Sequence, residues 1–177
     1  VYGSKNLRTF QIEATDIVGV LPQRKQTAHK YSVGKVFVLA GSRGFTGAAA
    51  LTAMAALRSG TGAVVLGTPE TVYPILAKKL SETIVLPLPA TSEGSLSLRG
   101  MQAIEERIQW ADVTAIGPGL SQHPETIELV AKLIAKAKGK ILLDADGLNA
   151  VASSGTRLLR SSRAEITITP HAGELSR

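Results

Sequence analysis

At 177 residues, 44% hydrophobic and without cysteine, the chain is long enough for one domain with its own core. It has no means of forming disulfides or thiolate metal sites, as suits a reducing cytoplasm. Its net charge of +6 admits an anionic ligand, but the basic residues are dispersed and aromatics are only 4%, against a base-stacking surface for nucleic acid. No uncharged apolar run approaches the ~20 residues of a membrane span, and Val1-Tyr2-Gly3-Ser4-Lys5 lacks signal-peptide architecture, so no membrane partner is expected.

The sequence does not begin with methionine and is read as the interior of a longer polypeptide. Residues 1–34 are polar and irregular, with Pro22 and the basic cluster Arg24-Lys25-Gln26, and read as a linker or interdomain arm; the alternative for Ile17–Leu21 within them is a short edge strand. A regular pattern begins at Lys35. Short continuous apolar runs at 36–40, 63–66, 83–86, 113–116, 140–143 and 165–168 have the character of parallel strands buried on both faces.

Helical stretches lie between most of these runs. Residues 47–59 are rich in alanine and leucine and stop at Gly60. Thr68-Pro69 supplies an expected N-cap and first-turn proline for a helix over 70–80. Met101, Ile104 and Ile108 recur at helical spacing within 98–110, and Ile127, Val130, Leu133 and Ile134 within 124–138. Ser92-Glu93-Gly94-Ser95 is expected to be a short surface loop. Alternating strands and helices predict an α/β fold with a mainly parallel central sheet.

In such sheets ligands lie beyond the carboxyl ends of the strands, which singles out four loops. Gly41-Ser42-Arg43-Gly44-Phe45-Thr46-Gly47 is neither a Walker A loop nor a G-x-G-x-x-G fingerprint. It is either a close-approach ligand loop or a tight strand-to-helix turn. Gly117-Pro118-Gly119-Leu120 allows the same two readings. Asp144-Ala145-Asp146-Gly147-Leu148-Asn149 can hold Mg2+ or a sugar hydroxyl through its carboxylates, or cap a helix. Thr169-Pro170-His171-Ala172-Gly173-Glu174 offers a histidine for hydrogen bonding or proton transfer, or a helix cap. His29 and His123 share no metal spacing with His171.

The ordered set resembles the ADP- or ATP-dependent NAD(P)H-hydrate dehydratases, a family with a ribokinase-like three-layer fold. The matching residues are His29-Lys30, Leu39-Ala40-Gly41-Ser42 with Thr46-Gly47-Ala48-Ala49, Ala56-Leu57-Arg58-Ser59-Gly60-Thr61-Gly62, Gly117–Leu120, Asp144–Asn149 and Thr169–Glu174. They cover residues 29–177, the expected dehydratase segment; residues 1–28 resemble a linker or the end of a preceding NAD(P)H-hydrate epimerase domain.

The resemblance implies repair of NADH or NADPH hydrated on the nicotinamide ring. ADP or ATP with Mg2+ would drive the dehydration by converting a poor hydroxide leaving group into a phosphate ester. It implies that Ala48, Gly119 and His171 contact the hydrated dinucleotide and that Asp144, Asp146 and Asn149 line the phosphate and Mg2+ region. Gly41, Gly44, Gly47 and Glu174 would support them. A homo-oligomer and a cytoplasmic setting belong to the same expectation.

The family continues with a nucleotide-contacting Lys-Gly segment and a Gly-Thr-Gly-Asp motif bearing the expected base. Neither follows Glu174, so the fold is expected to be incomplete at its C-terminus and the catalytic residue is unassigned. The alternatives are a ribokinase-like kinase of a hydroxymethyl heterocycle and a catalytically inactive nucleotide-binding or assembly module.

Overall fold

Residues 35–39 open the sheet because Val-Phe-Val-Leu sends alternate side chains to opposite faces and finds apolar layers on both. In the computed structural model, which describes residues 11–21, 27–30 and 32–176, this strand is β1 (Lys35–Leu39). Phe37 and Leu39 enter one core with Ile116, Leu129, Leu133 and Ile141. Val38 and Ala40 enter a second with Ala49, Ala53, Leu66 and Leu76. Two cores on the two faces of one sheet make a three-layer α/β domain.

The remaining strands are β2 (Ala63–Pro69), β3 (Ile84–Leu88), β4 (Val113–Ile116), β5 (Lys140–Leu143) and β6 (Glu165–Ile168). All neighbouring pairs are parallel, in the order β3-β2-β1-β4-β5-β6. The sheet thus grows outward in both directions from β1. The chain leaving β1 feeds α2 (Thr46–Arg58), whose small Ala49, Ala50 and Ala53 let it pack closely on one face with α3 (Tyr73–Lys79). The opposite face carries α4 (Met101–Trp110) and α5 (Pro124–Lys136); α5 buries Leu129, Val130, Leu133 and Ile134 as one stripe. α6 (Asp146–Ser154) and α7 (Arg157–Ser161) pack beside α5, and α8 (Ala172–Leu175) follows β6.

Two local expectations are corrected. Ile17–Leu21 is not an edge strand: Ala14–Val20 form the helix α1, because Glu13 and Asp16 close a capping box at its start. Thr68-Pro69 is not a helix start either. Both extend β2, where Thr68 pairs with Pro87 and Pro69 with Leu88; Val72 is the N-cap and Pro74 lies in the first turn of α3. The turn over 91–95 is only partly surface: Ser92 and Glu93 are exposed, while Gly94 and Ser95 are buried. Pro22, the Arg24-Lys25-Gln26 cluster and residues 1–10 lie outside the described residues.

Pairing across β2 leaves a cost. Thr68 is 0% exposed, and its hydroxyl has no partner among the described residues. An unsatisfied buried hydroxyl costs about 1–3 kcal/mol, and an isosteric apolar side chain removes that cost. Thr68→Val is therefore expected to raise the unfolding temperature by a few degrees, about 1 kcal/mol of stability, in a thermal melt.

Glu125, in the first turn of α5, ties that helix to the 3₁₀ turn Leu98–Gly100. Its carboxylate accepts from the Ser97 hydroxyl at 2.6 Å and from the Leu98 N–H at 2.8 Å. The Ser97 and Leu98 bonds, with smaller help from the charges of His123 and Arg99, hold its carboxyl below the usual glutamate range against the opposing effect of burial. A lowered folded-state value means stability present above the ordinary range and lost as pH falls through the folded value. Glu125→Gln should therefore be less stable than wild type in urea at neutral pH. The difference should shrink as pH falls through the carboxylate range.

Candidate functional site

β1 and β4 are adjacent, yet the chains leaving them turn to opposite faces, into α2 and α5. This is the switch point at which an open α/β sheet leaves a crevice. Here the two loops are joined directly. The Gly41 N–H donates to the Pro118 carbonyl at 3.0 Å, and the Gly117 N–H to the Leu39 carbonyl at 3.2 Å. The Ser42 hydroxyl, on a residue 2% exposed, donates to the Gly119 carbonyl at 2.8 Å.

Gly119 holds the close approach between them. Its φ is +67°, and a Cβ there would lie 2.8 Å from the Phe45 Cβ and 3.1 Å from the Ala48 Cβ. Ala48 is half-buried in the first turn of α2, whose N-cap Phe45 supplies no side-chain cap. The first amides of that helix thus receive no side-chain cap from Phe45. Gly44 sits exposed in the turn between β1 and α2, and Gly47 is exposed at the second position of α2.

The β4 and β5 loops are joined as tightly. The Asp144 N–H donates to the Ile116 carbonyl at 3.1 Å, while the Gly147 N–H closes the β5 turn on itself at the Asp144 carbonyl, 2.9 Å away. Asp146 opens α6, where a negative charge suits the helix dipole. Its carboxylate accepts from the Ser121 N–H at 2.9 Å and from the Asn149 side-chain amide at 3.1 Å. Asp146 and Asn149 therefore form one unit that also fixes Ser121, a non-glycine residue with φ +69°. Asp144 differs: it is half-buried, and its carboxylate has no hydrogen bond or ion pair among the described residues. Between the two acids Ala145 adopts φ +49° and ψ −120°. A non-glycine residue held there stores about 1–3 kcal/mol.

The fourth loop is tied to the third where the Thr169 N–H meets the Leu143 carbonyl at 3.1 Å. His171 caps α8: its Nδ1 accepts from the Gly173 N–H at 3.1 Å and the Glu174 N–H at 3.3 Å. Glu174 returns a bond, accepting the His171 N–H at 3.1 Å, and its other oxygen lies 3.3 Å from the ring Nε2. An Nδ1 that accepts two N–H groups leaves the ring proton on Nε2, facing Glu174. The His171 side chain is 70% exposed while that of Glu174 is 10% exposed, so the acid is the seat and the histidine the presented group.

The four loops form one continuous rim along β1, β4, β5 and β6. Gly119, in the loop after β4, and His171, in the loop after β6, follow strands two spacings apart, roughly 10 Å. A ligand touching both is therefore an elongated molecule. Among the described residues no group of three His, Asp or Glu side chains is gathered for a metal. His29 and Lys30 lie at the other end of the sheet, where the Lys30 carbonyl crosses Gly62. A groove of about 630 Å3, lined by Glu105, Ile108, Leu133 and Lys136 among others, is also at that end, beside the residues that enter β4 and β5.

A family model described as NAD(P)H-hydrate dehydratase matches residues 36–177, the whole of this sheet and its rim. The chain belongs to the NAD(P)H-hydrate dehydratase family. It is 42% identical over 157 residues to the bifunctional NAD(P)H-hydrate repair enzyme Nnr of Moorella thermoacetica, covering 89% of this chain and 29% of that protein. It is 34% identical over 143 residues to an ADP-dependent (S)-NAD(P)H-hydrate dehydratase of Xanthomonas campestris pv. campestris, covering 81% of this chain and 47% of that one. The chain thus spans well under two thirds of the length of these relatives.

Among solved structures it matches an ADP/ATP-dependent NAD(P)H-hydrate dehydratase of Bacillus subtilis, co-crystallised with ATP and Mg2+, at a TM-score of 0.69 and 28% identity. That match covers 92% of this chain and 53% of the other. A ribokinase-like superfamily protein of Enterococcus faecalis, at a TM-score of 0.77 and 20% identity, shares the fold, covering 98% of this chain and 58% of its own.

In this dehydratase-family chain the sequence motifs mark the loops but not the bonds between them. Ser42 joins two loops 77 residues apart and Ser121 is held by an acid 25 residues on. Neither serine carries a local signal of that role.

Proposed function

We propose that the chain forms the substrate side of a nucleotide-dependent NAD(P)H-hydrate dehydratase. The observation that carries this is the joint between Ser42 and Gly119 at the switch point, within a chain of that family. In this reading Ala48 and Gly119 meet the hydrated dinucleotide at the narrow joint, and His171 meets it about two strands away. The glycine at 119 lets the ligand approach backbone rather than side chain. Glu174 orients His171 by holding both its N–H and its ring.

The reaction is a loss of water from the hydrated ring. A phosphoryl group passes from ADP or ATP to the ring hydroxyl, and phosphate then leaves with a ring proton to restore the double bond. Phosphate is the better leaving group, which is what the nucleotide contributes. Mg2+ is ordinarily held by one or two carboxylates together with substrate phosphates and waters. The unpaired carboxylate of Asp144 fits that demand, while Asp146 is committed to Ser121 and Asn149. When bound, the ion would neutralise phosphate charge at the β5 end; Asp146 and Asn149 would keep the loop in shape.

The bifunctional character of the Moorella relative supports an epimerase domain before residue 1, with residues 1–28 as its end or linker. A homo-oligomer and a cytoplasmic setting complete the proposal. Thermal-shift titration tests the substrate class. Hydrated NADH or NADPH at about a hundred times its dissociation constant should raise the melting temperature by about 5–10 °C. A rise with a hydroxymethyl thiazole or pyrimidine, and none with the hydrated dinucleotides, would replace the reading with a vitamin-precursor kinase.

A further inference from the structure

Arg43 holds a positive charge at the crevice rim that no described residue neutralises. It is exposed, and among the described residues its guanidinium makes neither ion pair nor hydrogen bond, although Glu93 stands in the facing turn. Its position is nevertheless well defined. The Arg43 N–H donates to the Gly94 carbonyl at 3.0 Å, and the Phe45 N–H closes the turn onto the Ser42 carbonyl at 2.9 Å. The side chain then runs across Gly94: a Cβ on that glycine would lie 3.0 Å from the Arg43 Cβ and 3.1 Å from its Nε, with the Thr71 hydroxyl at 3.3 Å.

The seat is itself rigid. The Thr91 N–H donates to the Ser95 carbonyl at 2.8 Å and the Gly94 N–H to the Thr91 carbonyl at 3.0 Å. The two buried hydroxyls of Thr91 and Ser95 meet at 2.8 Å. Part of the entropy that a surface arginine ordinarily loses on binding has thus been lost before any ligand arrives. A positioned, unpaired guanidinium presents its donors in the fork that suits phosphate oxygens. It stands on the β2 and β3 side of the Ser42–Gly119 joint, away from the β6 end that carries His171. An elongated ligand that lies along the rim and passes the joint would bring a second part of itself to this arginine.

We propose that Arg43 binds a phosphate of the dinucleotide substrate and sets the affinity for it, an inference that rests on the dehydratase reading. Two phosphates share this chemistry: the pyrophosphate bridge of both hydrated NADH and hydrated NADPH, and the 2′-phosphate of hydrated NADPH alone. The test is calorimetric titration of wild type, Arg43→Gln, Arg43→Lys and Gly94→Ala with each hydrated dinucleotide, with unfolding midpoints measured alongside.

Arg43→Gln should weaken binding about ten- to hundredfold, as for the loss of a charged hydrogen-bonding partner, with Arg43→Lys between it and wild type. Gly94→Ala should weaken binding with the charge retained, by displacing the side chain from its seat. Weakening of both ligands assigns the pyrophosphate, and weakening of hydrated NADPH alone assigns the 2′-phosphate. Wild-type affinity for both ligands in the folded Arg43→Gln protein overturns the proposal while leaving the dehydratase reading intact. A wild-type chain that binds neither ligand overturns the reading and the proposal together.

Discussion

Gly117→Ala is expected to cost the fold about 2–4 kcal/mol, a large share of the roughly 5–15 kcal/mol that holds a typical domain together. The residue has φ +134°, and a Cβ there would run into the Asp144 carbonyl oxygen and lie 2.7 Å from the Gly147 N–H. Both obstacles are backbone, the acceptor and donor of the bond that closes the turn after β5, beside the Asp144 N–H bond that seats this turn on β4. Neither can turn aside as a side chain would. Relieving the overlap means opening the Asp144 N–H bond to Ile116 or the Gly147 N–H bond to Asp144, at about 1 kcal/mol each, in addition to about 1–3 kcal/mol of backbone strain. Urea unfolding would show a sharply lowered midpoint or no cooperative transition at all; a shift of less than about 0.5 kcal/mol would show that the two loops are not in contact.

The neighbouring glycine should behave differently. At Gly119 a Cβ would meet the Phe45 Cβ at 2.8 Å, the Phe45 carbonyl at 3.0 Å and the Ala48 Cβ at 3.1 Å. Phe45 is exposed and lies in a loop, so it can move. The Gly119 φ of +67° lies in the left-handed region, where alanine costs only about 1–2 kcal/mol. The fold should therefore survive Gly119→Ala with a modest loss of stability. The ligand should not be accommodated equally well, because the added methyl widens the joint where Ala48 and the Gly119 backbone are proposed to meet it. Steric overlap from an added methyl in a close-packed contact costs about 1–3 kcal/mol, about tenfold to a hundredfold in affinity. Binding of hydrated NADPH by Gly119→Ala should fall by that order while the circular dichroism spectrum stays native. Unchanged affinity would mean that the ligand does not pass this joint.

The contrast between these two glycines shows what was legible in the sequence. The strands were legible as strands, and Val36–Ala40, an unbroken apolar run with apolar layers on both sides, shows why. Burial on both faces was not general, because β3 and β6 at the sheet edges leave Ile84 and Ile168 exposed. Features decided by a distant partner were not legible. Thr68-Pro69 carries every local sign of a helix start, yet pairing with Pro87 and Leu88 draws it into β2. Ile17–Leu21 has the composition of a strand, but Glu13 and Asp16 cap it as a helix. Asp144–Asn149 was visible as a pair of acids in a loop. That one of them is committed to the Ser121 N–H while the other has no partner among the described residues depends on how the β4 and β5 loops meet.

At the site, the resemblance marked His171 and Glu174 together, and three-residue spacing allowed a shared face. The structure makes that spacing a reciprocal cap, with a largely covered acid seating an exposed histidine. Arg43 had no signal beyond its place among glycines, because Gly94, over which it lies, is far along the chain. The parts of the rim joined by local turns could be read from sequence; the parts joined across the sheet could not.

Hydrogen exchange of the chain with and without hydrated NADPH tests the central claim most directly, because it reads where the ligand sits. Added protection is expected at residues 41–48, 117–121 and 144–149 and around His171, the carboxyl ends of β1, β4, β5 and β6. Protection confined to the opposite groove around Ile108, Leu133 and Lys136, or none anywhere under saturating ligand, would contradict the account.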